Sequence, residues 1–186
     1  MRGEWAELSE YFHVPFPGAV RSWADQHNEN DSGHGHMNTL CIASCGKKKI
    51  WEDLPQAGPT PEKDVYTGAF SGTCIRYASK FYPESFVILS AKFGFLMPDD
   101  LIESDYCVTF KDKKTNRITN QDLIKTAQEK GLFDYAQIVV IAGREYFERI
   151  RLVFKGKLIH APLEGCGSMG EMISMLRNAI KNGRPL

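Results

Sequence analysis

The sequence predicts an α/β fold, a three-layer sandwich around a mainly parallel sheet of about four strands. Short apolar segments alternate along the chain with stretches of helical periodicity, as expected when helices cover both faces of a sheet. Apolar residues make up 42% of the 186 residues, which is enough for the core of one domain. We therefore expect a single α/β domain over residues 37–186, preceded by an extension over residues 1–36.

The extension differs from the rest of the chain in composition. Trp5, Leu8 and Phe12 recur at helical spacing and predict a short helix that docks on the domain. Residues 28–36 (NENDSGHGH) have the composition of a linker. The two histidines of this linker have no obvious further ligands nearby, so we expect them to be solvated rather than bound to a metal.

Four strands are predicted from short apolar runs. They are residues 39–44 (TLCIAS), 85–91 (SFVILSA), 137–142 (QIVVIA) and 157–161 (KLIHA). Apolar spacing and end signals predict helices over residues 70–82, 120–130, 144–154 and 169–180. The last helix is the clearest, because its apolar residues follow i, i+3, i+4 spacing and Gly183 stands just after it.

Composition and charge narrow the possible function classes. Lysine and arginine together number 23, as do aspartate and glutamate, so the chain has no net charge. A polyanion would therefore have to bind a locally basic patch of the surface. The five cysteines are odd in number and scattered, which favours a reduced, cytoplasmic protein without a disulfide framework. No run of about 20 apolar residues predicts a membrane span, and the first residues lack the order of a secretory signal. Nothing in the sequence indicates a metal or another cofactor.

The predicted sheet indicates where a functional site would lie. In open α/β sheets, ligands bind beyond the carboxyl ends of the strands. Four segments follow the predicted strands, and glycines and charged residues concentrate in them. They are residues 44–49 (SCGKKK), 90–100 (SAKFGFLMPDD), 142–146 (AGREY) and 161–171 (APLEGCGSMGE).

The first of these segments suits a phosphate. Gly46 lets the chain turn with its amides exposed, and the three lysines that follow add positive charge beside them. The spacings of nucleotide-triphosphate and dinucleotide loops are missing, and surface lysines are often only solvated. Cys45 lies in the same turn and is a further candidate nucleophile, whereas Cys41 is expected to be a small core residue.

The second segment ends in a cluster of carboxylates. Gly94 allows a bend after the strand and Pro98 prevents regular pairing. We therefore expect four acids on a loop: Asp99, Asp100, Glu103 and Asp105. The letters PDDLIE also match a helix start, with proline in the first turn and acids favoured by the helix dipole. A capping acid and a catalytic acid can be neighbours in one turn, so both interpretations stay open.

The order of these segments resembles that of a known group. SCGKKK, VYTGAF (65–70), ILSAKFGFLMPDDLI (88–102) and GCGSMGEMISML (165–176) together resemble small bacterial and phage proteins. LSAKFGFLMPDDLI is also similar to the L-S-x-x-Y-G-L-L-x-P-x-D-x-I stretch of the YaaA peroxide-stress proteins and, more faintly, to a domain of the archaeosine-synthesis enzymes. This resemblance implies an α/β fold like that of uracil-DNA glycosylases and a link to nucleic acid with unusual bases. The acid after the proline falls on Asp100, and the aromatic before the glycine falls on Phe93.

We therefore expect a hydrolase of N-glycosidic bonds, a DNA glycosylase that excises a modified or damaged base in DNA repair or phage defence. Cleavage of such a bond develops positive charge on the sugar, so a carboxylate near the sugar lowers the barrier. Asp100 is the candidate for this role, and Glu103 is the second choice. Contacts with the base are expected from Ser44, Cys45, Gly46, Tyr66, Ser90 and Phe93. Contacts with the nucleic-acid backbone are expected from Lys47, Lys48, Lys92 and Arg144.

Two alternatives stay open. A hydrolase or transferase of free nucleosides or nucleotides would need the same carboxylate but no long basic groove. A non-catalytic nucleic-acid-binding protein in stress protection would need only the basic residues. The expected partner is therefore DNA or a nucleotide, and no membrane.

Overall fold

The structure is a computed structural model that describes residues 38–112 and 114–186. The helix and the linker predicted before residue 37 lie outside the described residues. Within the described part of the chain, none of the helices combines the length and the apolar character needed to span a bilayer.

A five-stranded sheet forms the centre of the domain. Its strands are β1 (Thr39–Ser44), β3 (Phe86–Ser90), β4 (Gly94–Leu96), β6 (Gln137–Ile141) and β7 (Leu158–His160). They lie side by side in the order β4-β3-β1-β6-β7, and only β4 runs antiparallel to its neighbour. The four predicted strands are thus confirmed as parallel strands of one sheet. A separate two-stranded ladder joins β2 (Thr60–Pro61) to β5 (Leu101–Ile102).

Helices cover both faces of this sheet. They are α1 (Ile50–Asp53), α2 (Glu62–Val65), α3 (Ala69–Phe81), α4 (Asn120–Glu129), α5 (Arg144–Val153) and α6 (Met169–Asn182). The four longest agree with the predicted helices to within one or two residues. Side-chain hydroxyls accept hydrogen bonds from backbone amides at two of their starts, Thr119 for α4 and Ser168 for α6.

Two apolar cores result from the alternation of side chains along the strands. On β1, Cys41 and Ala43 face the core that contains α3 and α6, which confirms Cys41 as a core residue. Their neighbours Leu40 and Ile42 face the opposite core, formed with α4 and α5. Because successive residues of a strand point to opposite faces, a strand buried on both sides is apolar throughout. The chain is therefore an α/β protein with helices on both sides of a mainly parallel sheet.

The segment after β3 differs from its predicted structure. Gly94 has a φ angle of 81°, which lets the chain turn back at once into the antiparallel strand β4. The helix start predicted from PDDLIE is wrong. The backbone of this segment instead lies beside α2, because Asp100 O accepts from Glu62 N and Pro98 O accepts from Lys63 N. Pairing with β2 then draws Leu101–Ile102 into strand β5.

Candidate functional site

A cleft with a volume of about 710 Å³ opens at the carboxyl ends of β1 and β6. The chain passes from one side of β1 to the other between β3 and β6, so these ends form the topological switch point of the sheet. Ligands of open α/β proteins bind at such a point. The lining residues are 44–49, 68–71, 107–109, Lys111, Asp112, Thr115, 143–146 and Met169.

Positive charge is concentrated in this cleft. Five lysine and arginine residues line it, against two carboxylates, among the residues that the structure describes. The chain as a whole has no net charge. Lys48 is paired with Asp53, at 2.8 Å between Nζ and Oδ2, whereas Lys47 and Arg144 have no ion-pair partner within residues 38–112 and 114–186. The cleft therefore suits an anionic ligand.

Two helices begin at the cleft without a capping side chain. Gly68 is the N-cap of α3 and Gly143 is the N-cap of α5, and neither has a side chain that accepts from the first amides. Helix starts carry a positive partial charge and present unpaired N–H groups. Their backbone amides add to the lysines as donors for an anion.

The loop after β1 packs tightly against the start of α3. A Cβ atom on Gly46 would lie 2.2 Å from the Oγ atom and 2.8 Å from the Cβ atom of Ser71. Only glycine fits this approach without movement of the serine. This close contact fixes the backbone of the loop after β1 against the start of α3.

Buried polar groups lie behind the cleft wall, and we call Glu62, Tyr66, Ser90 and Tyr106 the Glu62 cluster. The Tyr66 hydroxyl donates to the Oε1 atom of Glu62, at 2.5 Å. The same hydroxyl lies 2.5 Å from the Tyr106 hydroxyl, which lies 3.0 Å from Ser90 Oγ. Glu62 and Ser90 are completely buried. The Oε2 atom of Glu62 has no hydrogen-bond partner among the described residues.

Burial changes the acidity of this cluster. Desolvation raises the pKa of Glu62 to about 7, and the charge of Asp100 acts in the same direction. The Tyr66 hydroxyl and the Lys49 ammonium lower that pKa by less. Burial also raises the pKa of the Tyr66 and Tyr106 hydroxyls, so both are protonated donors at neutral pH.

Lys49 joins two walls of the cleft. Its side chain is buried, and its ammonium donates to the carbonyl oxygens of Lys47 and Tyr106. The same ammonium pairs with Asp105 Oδ1 at 3.2 Å and lies 4.4 Å from the centre of the Tyr106 ring. This one cation thus ties the loop after β1 to the segment that precedes Cys107.

Most of the predicted base-binding and backbone-binding residues fall in or near the cleft. Those that line it are Ser44, Cys45, Gly46, Lys47, Lys48 and Arg144. Tyr66 and Ser90 belong instead to the buried Glu62 cluster. Phe93 meets the Tyr106 ring edge-on, with centroids 5.2 Å apart, and Lys92 lies over both rings. Neither Phe93 nor Lys92 is a lining residue, so they flank the cluster rather than the cleft.

The predicted catalytic carboxylates are not among the lining residues. Asp100 Oδ2 accepts from the Met97 amide at 2.8 Å and from Lys130 Nζ at 2.9 Å, so it holds a turn and an ion pair. Glu103 is exposed to solvent. The structure gives Asp100 a structural contact and brings neither residue to the cleft. The catalytic roles of Asp100 and Glu103 remain predictions.

Several residues of the site have no clear signal in the sequence. Phe70 and Tyr146 line the cleft, and Glu145 is one of its two carboxylates. Glu145 and Tyr146 belong to the segment after β6 (142–146), and the position of that segment at the sheet edge was the available signal for both. Glu62 could not have been selected in this way, because nothing local in the sequence indicates that its side chain is buried, that its amide donates to Asp100 O, or that its partner Tyr66 contacts the distant Tyr106.

Two cysteines line the cleft, the buried Cys45 at the end of β1 and the exposed Cys107. Burial raises the pKa of the Cys45 thiol, and its Sγ atom lies 3.0 Å from the Tyr146 hydroxyl. Because a protonated thiol is a poor nucleophile, Cys45 is poorly suited to the nucleophilic role considered for it. Among the described residues, no group of three or more His, Cys, Asp and Glu side chains is arranged to hold a metal ion.

Comparisons with known proteins place the chain in a family. The uncharacterized protein YfjM of Bacillus subtilis (strain 168) is 39% identical over 151 residues, which is 81% of this chain and 100% of that protein. No solved structure matches the chain significantly. The model of a family described as "Family of unknown function (DUF6884)" matches residues 40–178, which include all strand residues except Thr39 and the whole described lining of the cleft. The chain therefore belongs to the DUF6884 family.

Proposed function

We propose that this protein binds one nucleotide unit in the switch-point cleft and hydrolyses its N-glycosidic bond, acting on a modified or damaged base in DNA. The observation that carries this proposal is the local excess of positive charge, at two uncapped helix starts, in a chain with no net charge. A phosphate is the anion that such a site suits best, because lysines and backbone amides can surround its oxygens.

The apolar part of the cleft supports a base as the second half of the ligand. Phe70 and Tyr146 are lining residues, and extruded or single-stranded bases are held against aromatic faces. Pockets for small ligands commonly have volumes of about 300–1,000 Å³. The volume of about 710 Å³ therefore accommodates one nucleotide but not a duplex, so a base in DNA must leave the stack to enter.

The proposed reaction needs a carboxylate that reaches the sugar. Water adds to the anomeric carbon, the bond to the base nitrogen breaks, and the base leaves with the bonding electrons and takes up a proton. We place Glu145 next to the developing positive charge on the sugar, because it lines the cleft and has no ion-pair partner among the described residues. The other lining carboxylate, Asp112, accepts from the Lys114 amide.

In this proposal Glu145 takes the catalytic role for which Asp100 was the candidate from the sequence. Asp100 keeps its turn and its ion pair with Lys130 in this proposal. The same resemblance supports the finer assignment of the fold as uracil-DNA-glycosylase-like, since four parallel strands with helices on both faces are the arrangement that it implies. The protonated hydroxyl of Tyr146 provides a donor near the leaving base.

An abasic-site assay tests the proposal. The protein is incubated with oligonucleotides and phage DNAs that carry unmodified, damaged and hypermodified bases, and alkali then cleaves the strand wherever a base was removed. We expect base-dependent scission that is lost in Glu145→Gln but kept in Glu148→Gln, a control on the same helix whose side chain is exposed and is not a lining residue. Asp100→Asn runs alongside, and loss of scission there with full activity of Glu145→Gln would return the catalytic role to Asp100.

A binding measurement separates the alternatives. If Lys47→Ala and Arg144→Ala weaken oligonucleotide binding and flatten its salt dependence, but no substrate in the panel is cleaved, the chain is a nucleic-acid-binding protein and not a hydrolase. Release of free base from mononucleotides without scission of oligonucleotides would identify a nucleotide hydrolase, which a cleft of one-nucleotide size also suits. Absence of both binding and release would overturn the proposal.

A further inference from the structure

We propose that Glu62 is a positioning residue for the cleft, holding the hydroxyls of Tyr66 and Tyr106 and, through Tyr106, the lysine that joins the two cleft walls. This inference deepens the proposed function and rests on it, since the ligand whose affinity Glu62 controls is the nucleotide. The protonated form of the carboxyl holds the cleft in its binding geometry, and its ionisation weakens binding.

The first step concerns the free energy that the fold loses by burying the Glu62 carboxyl. Glu62 is completely buried, and its Oε2 atom has no partner among the described residues. Buried polar atoms without a partner are uncommon, because each loses its hydrogen bonds to water. A glutamine of the same shape would avoid the burial of a charge. A role in the site gives a reason for an acid at this position.

The second step is the connection from Glu62 to the cleft. Tyr66 bridges Glu62 Oε1 to the Tyr106 hydroxyl, and both contacts are 2.5 Å long. The carbonyl oxygen of Tyr106 accepts from Lys49, and the residue after Tyr106, Cys107, lines the cleft. Displacement of Tyr106 would therefore move the Lys49 contact and the wall that begins at Cys107 together.

The third step is the set of charges around the carboxyl. Asp100 faces Glu62 from the turn before β5 and disfavours its ionisation, whereas Lys49 faces it from the loop before α1 and favours it. Cys45 interacts with it from the end of β1, and Tyr66 and Tyr106 provide neutral hydroxyls. Once ionised, Glu62 competes with Asp105 and the Tyr106 carbonyl for the Lys49 ammonium. The contacts by which Lys49 holds the two cleft walls together then weaken.

The direction with pH follows from these contacts. Burial, the largest cause, raises the pKa of Glu62 to about 7. The carboxyl is therefore mostly protonated at mildly acidic pH and mostly ionised at mildly alkaline pH. We expect nucleotide affinity to fall as the pH rises through neutrality.

The test has one part that needs no ligand. Backbone amide NMR signals of residues 107–109 are followed from about pH 5.5 to 8.5 in the wild type, in Glu62→Gln and in Glu52→Gln, a control with an exposed glutamate on α1. We expect a transition near pH 7 in the wild type and in Glu52→Gln, and none in Glu62→Gln. A wild type without this transition, or a transition that persists in Glu62→Gln, would overturn the inference. If Glu62→Gln fails to fold, a wild type without the transition still overturns the inference.

The second part measures the binding of a fluorescein-labelled single-stranded oligonucleotide at about pH 6 and about pH 8. We expect the wild-type affinity to fall by about fivefold or more, a typical size for coupling between two sites, and the affinity of Glu62→Gln to stay constant. Equal pH dependence in both proteins would overturn the inference. If neither protein binds the oligonucleotide at either pH, the proposed function fails, and the NMR titration still decides whether Glu62 controls the wall.

Discussion

The hydroxyl of Tyr66 lies 2.5 Å from the Oε1 atom of Glu62, where both side chains are shielded from solvent. Burial raises the pKa of this carboxyl from the ordinary value of 4.5 to about 7. The folded protein therefore holds this proton more tightly than the unfolded chain does. Stability and protonation are linked at this one contact.

The first prediction is a loss of stability as the pH rises. Because the folded-state pKa of Glu62 is the higher one, its contribution to stability is complete below about pH 4.5 and is lost as the pH rises through about 7. We expect the free energy of unfolding to fall by roughly 3 kcal/mol over this range, at about 1.4 kcal/mol for each unit of pKa difference. Urea denaturation at several pH values measures it.

The control for this prediction replaces the Glu62 carboxyl with an uncharged amide of the same shape. In Glu62→Gln the decline should disappear, and the variant should be more stable than the wild type at about pH 8. Glu84→Gln, which changes an exposed glutamate, should retain the decline. A Glu62→Gln profile parallel to that of the wild type would mean that another group causes the pH dependence.

The second prediction concerns the hydroxyl of Tyr66. Tyr66→Phe removes the donor to Glu62 and the partner of the Tyr106 hydroxyl. We expect a loss of about 1–3 kcal/mol in the free energy of unfolding, because buried polar groups are left unsatisfied. Tyr82→Phe, at a half-buried hydroxyl, should cost about 0.5 kcal/mol or less. Thermal unfolding compares the two, and equal costs would contradict the prediction.

The third prediction contrasts two neighbouring lysines. Lys49→Met leaves the buried carbonyl of Tyr106 without its ammonium partner and breaks the pair with Asp105. We expect it to cost about 2–3 kcal/mol of stability. Lys48→Met removes a pair whose side chains are each about half exposed, so it should cost less than about 1 kcal/mol. Chemical denaturation of both variants measures the difference, and a Lys48→Met cost as large as that of Lys49→Met would be inconsistent with the burial of Lys49.

The fourth prediction separates steric contact from backbone strain at two glycines. A Cβ atom on Gly94 would lie 2.7 Å from Thr126 Oγ1 and 2.9 Å from Ile118 Cδ1, at a φ angle of 81°. Gly156 has a similar φ angle of 89° but open space around it. We expect Gly156→Ala to cost about 1–2 kcal/mol from strain alone and Gly94→Ala about 1–3 kcal/mol more from overpacking. Equal losses of thermal stability in Gly94→Ala and Gly156→Ala would contradict the prediction, because they would mean that the β3–β4 turn accommodates the added methyl group without overpacking.

Part of the candidate site could be predicted because the sheet is mainly parallel. Strands that run the same way end at the same edge, so residues that follow β1 and β6 in sequence meet in space. Ser44 to Lys48 and Arg144 were placed at the cleft by this argument. Phe70 was not, because it belongs to the start of a helix whose distance from that edge depends on how the helix packs.

The position of Asp100 depends on contacts between segments that are distant in the sequence. The segment around Asp100 matches a helix start, and the residue also aligns with the acid after the proline in the motif that the resemblance rests on. In the folded chain, pairing of β5 with β2 and the ion pair with Lys130 decide its position instead. Both contacts join residues far apart in the chain, and no local pattern encodes them.

By itself the sequence determined the four parallel strands, the four long helices and the edge of the sheet at which to look for a site. These features depend on periodicity, caps and connection order, which act over a few residues or follow from topology. Only the tertiary structure decided that Glu62 is buried against Tyr66 and that Lys49 joins two walls of the cleft. The reason is physical: burial, pKa and shared contacts are properties of neighbours in space, and those neighbours come from segments up to about 57 residues apart.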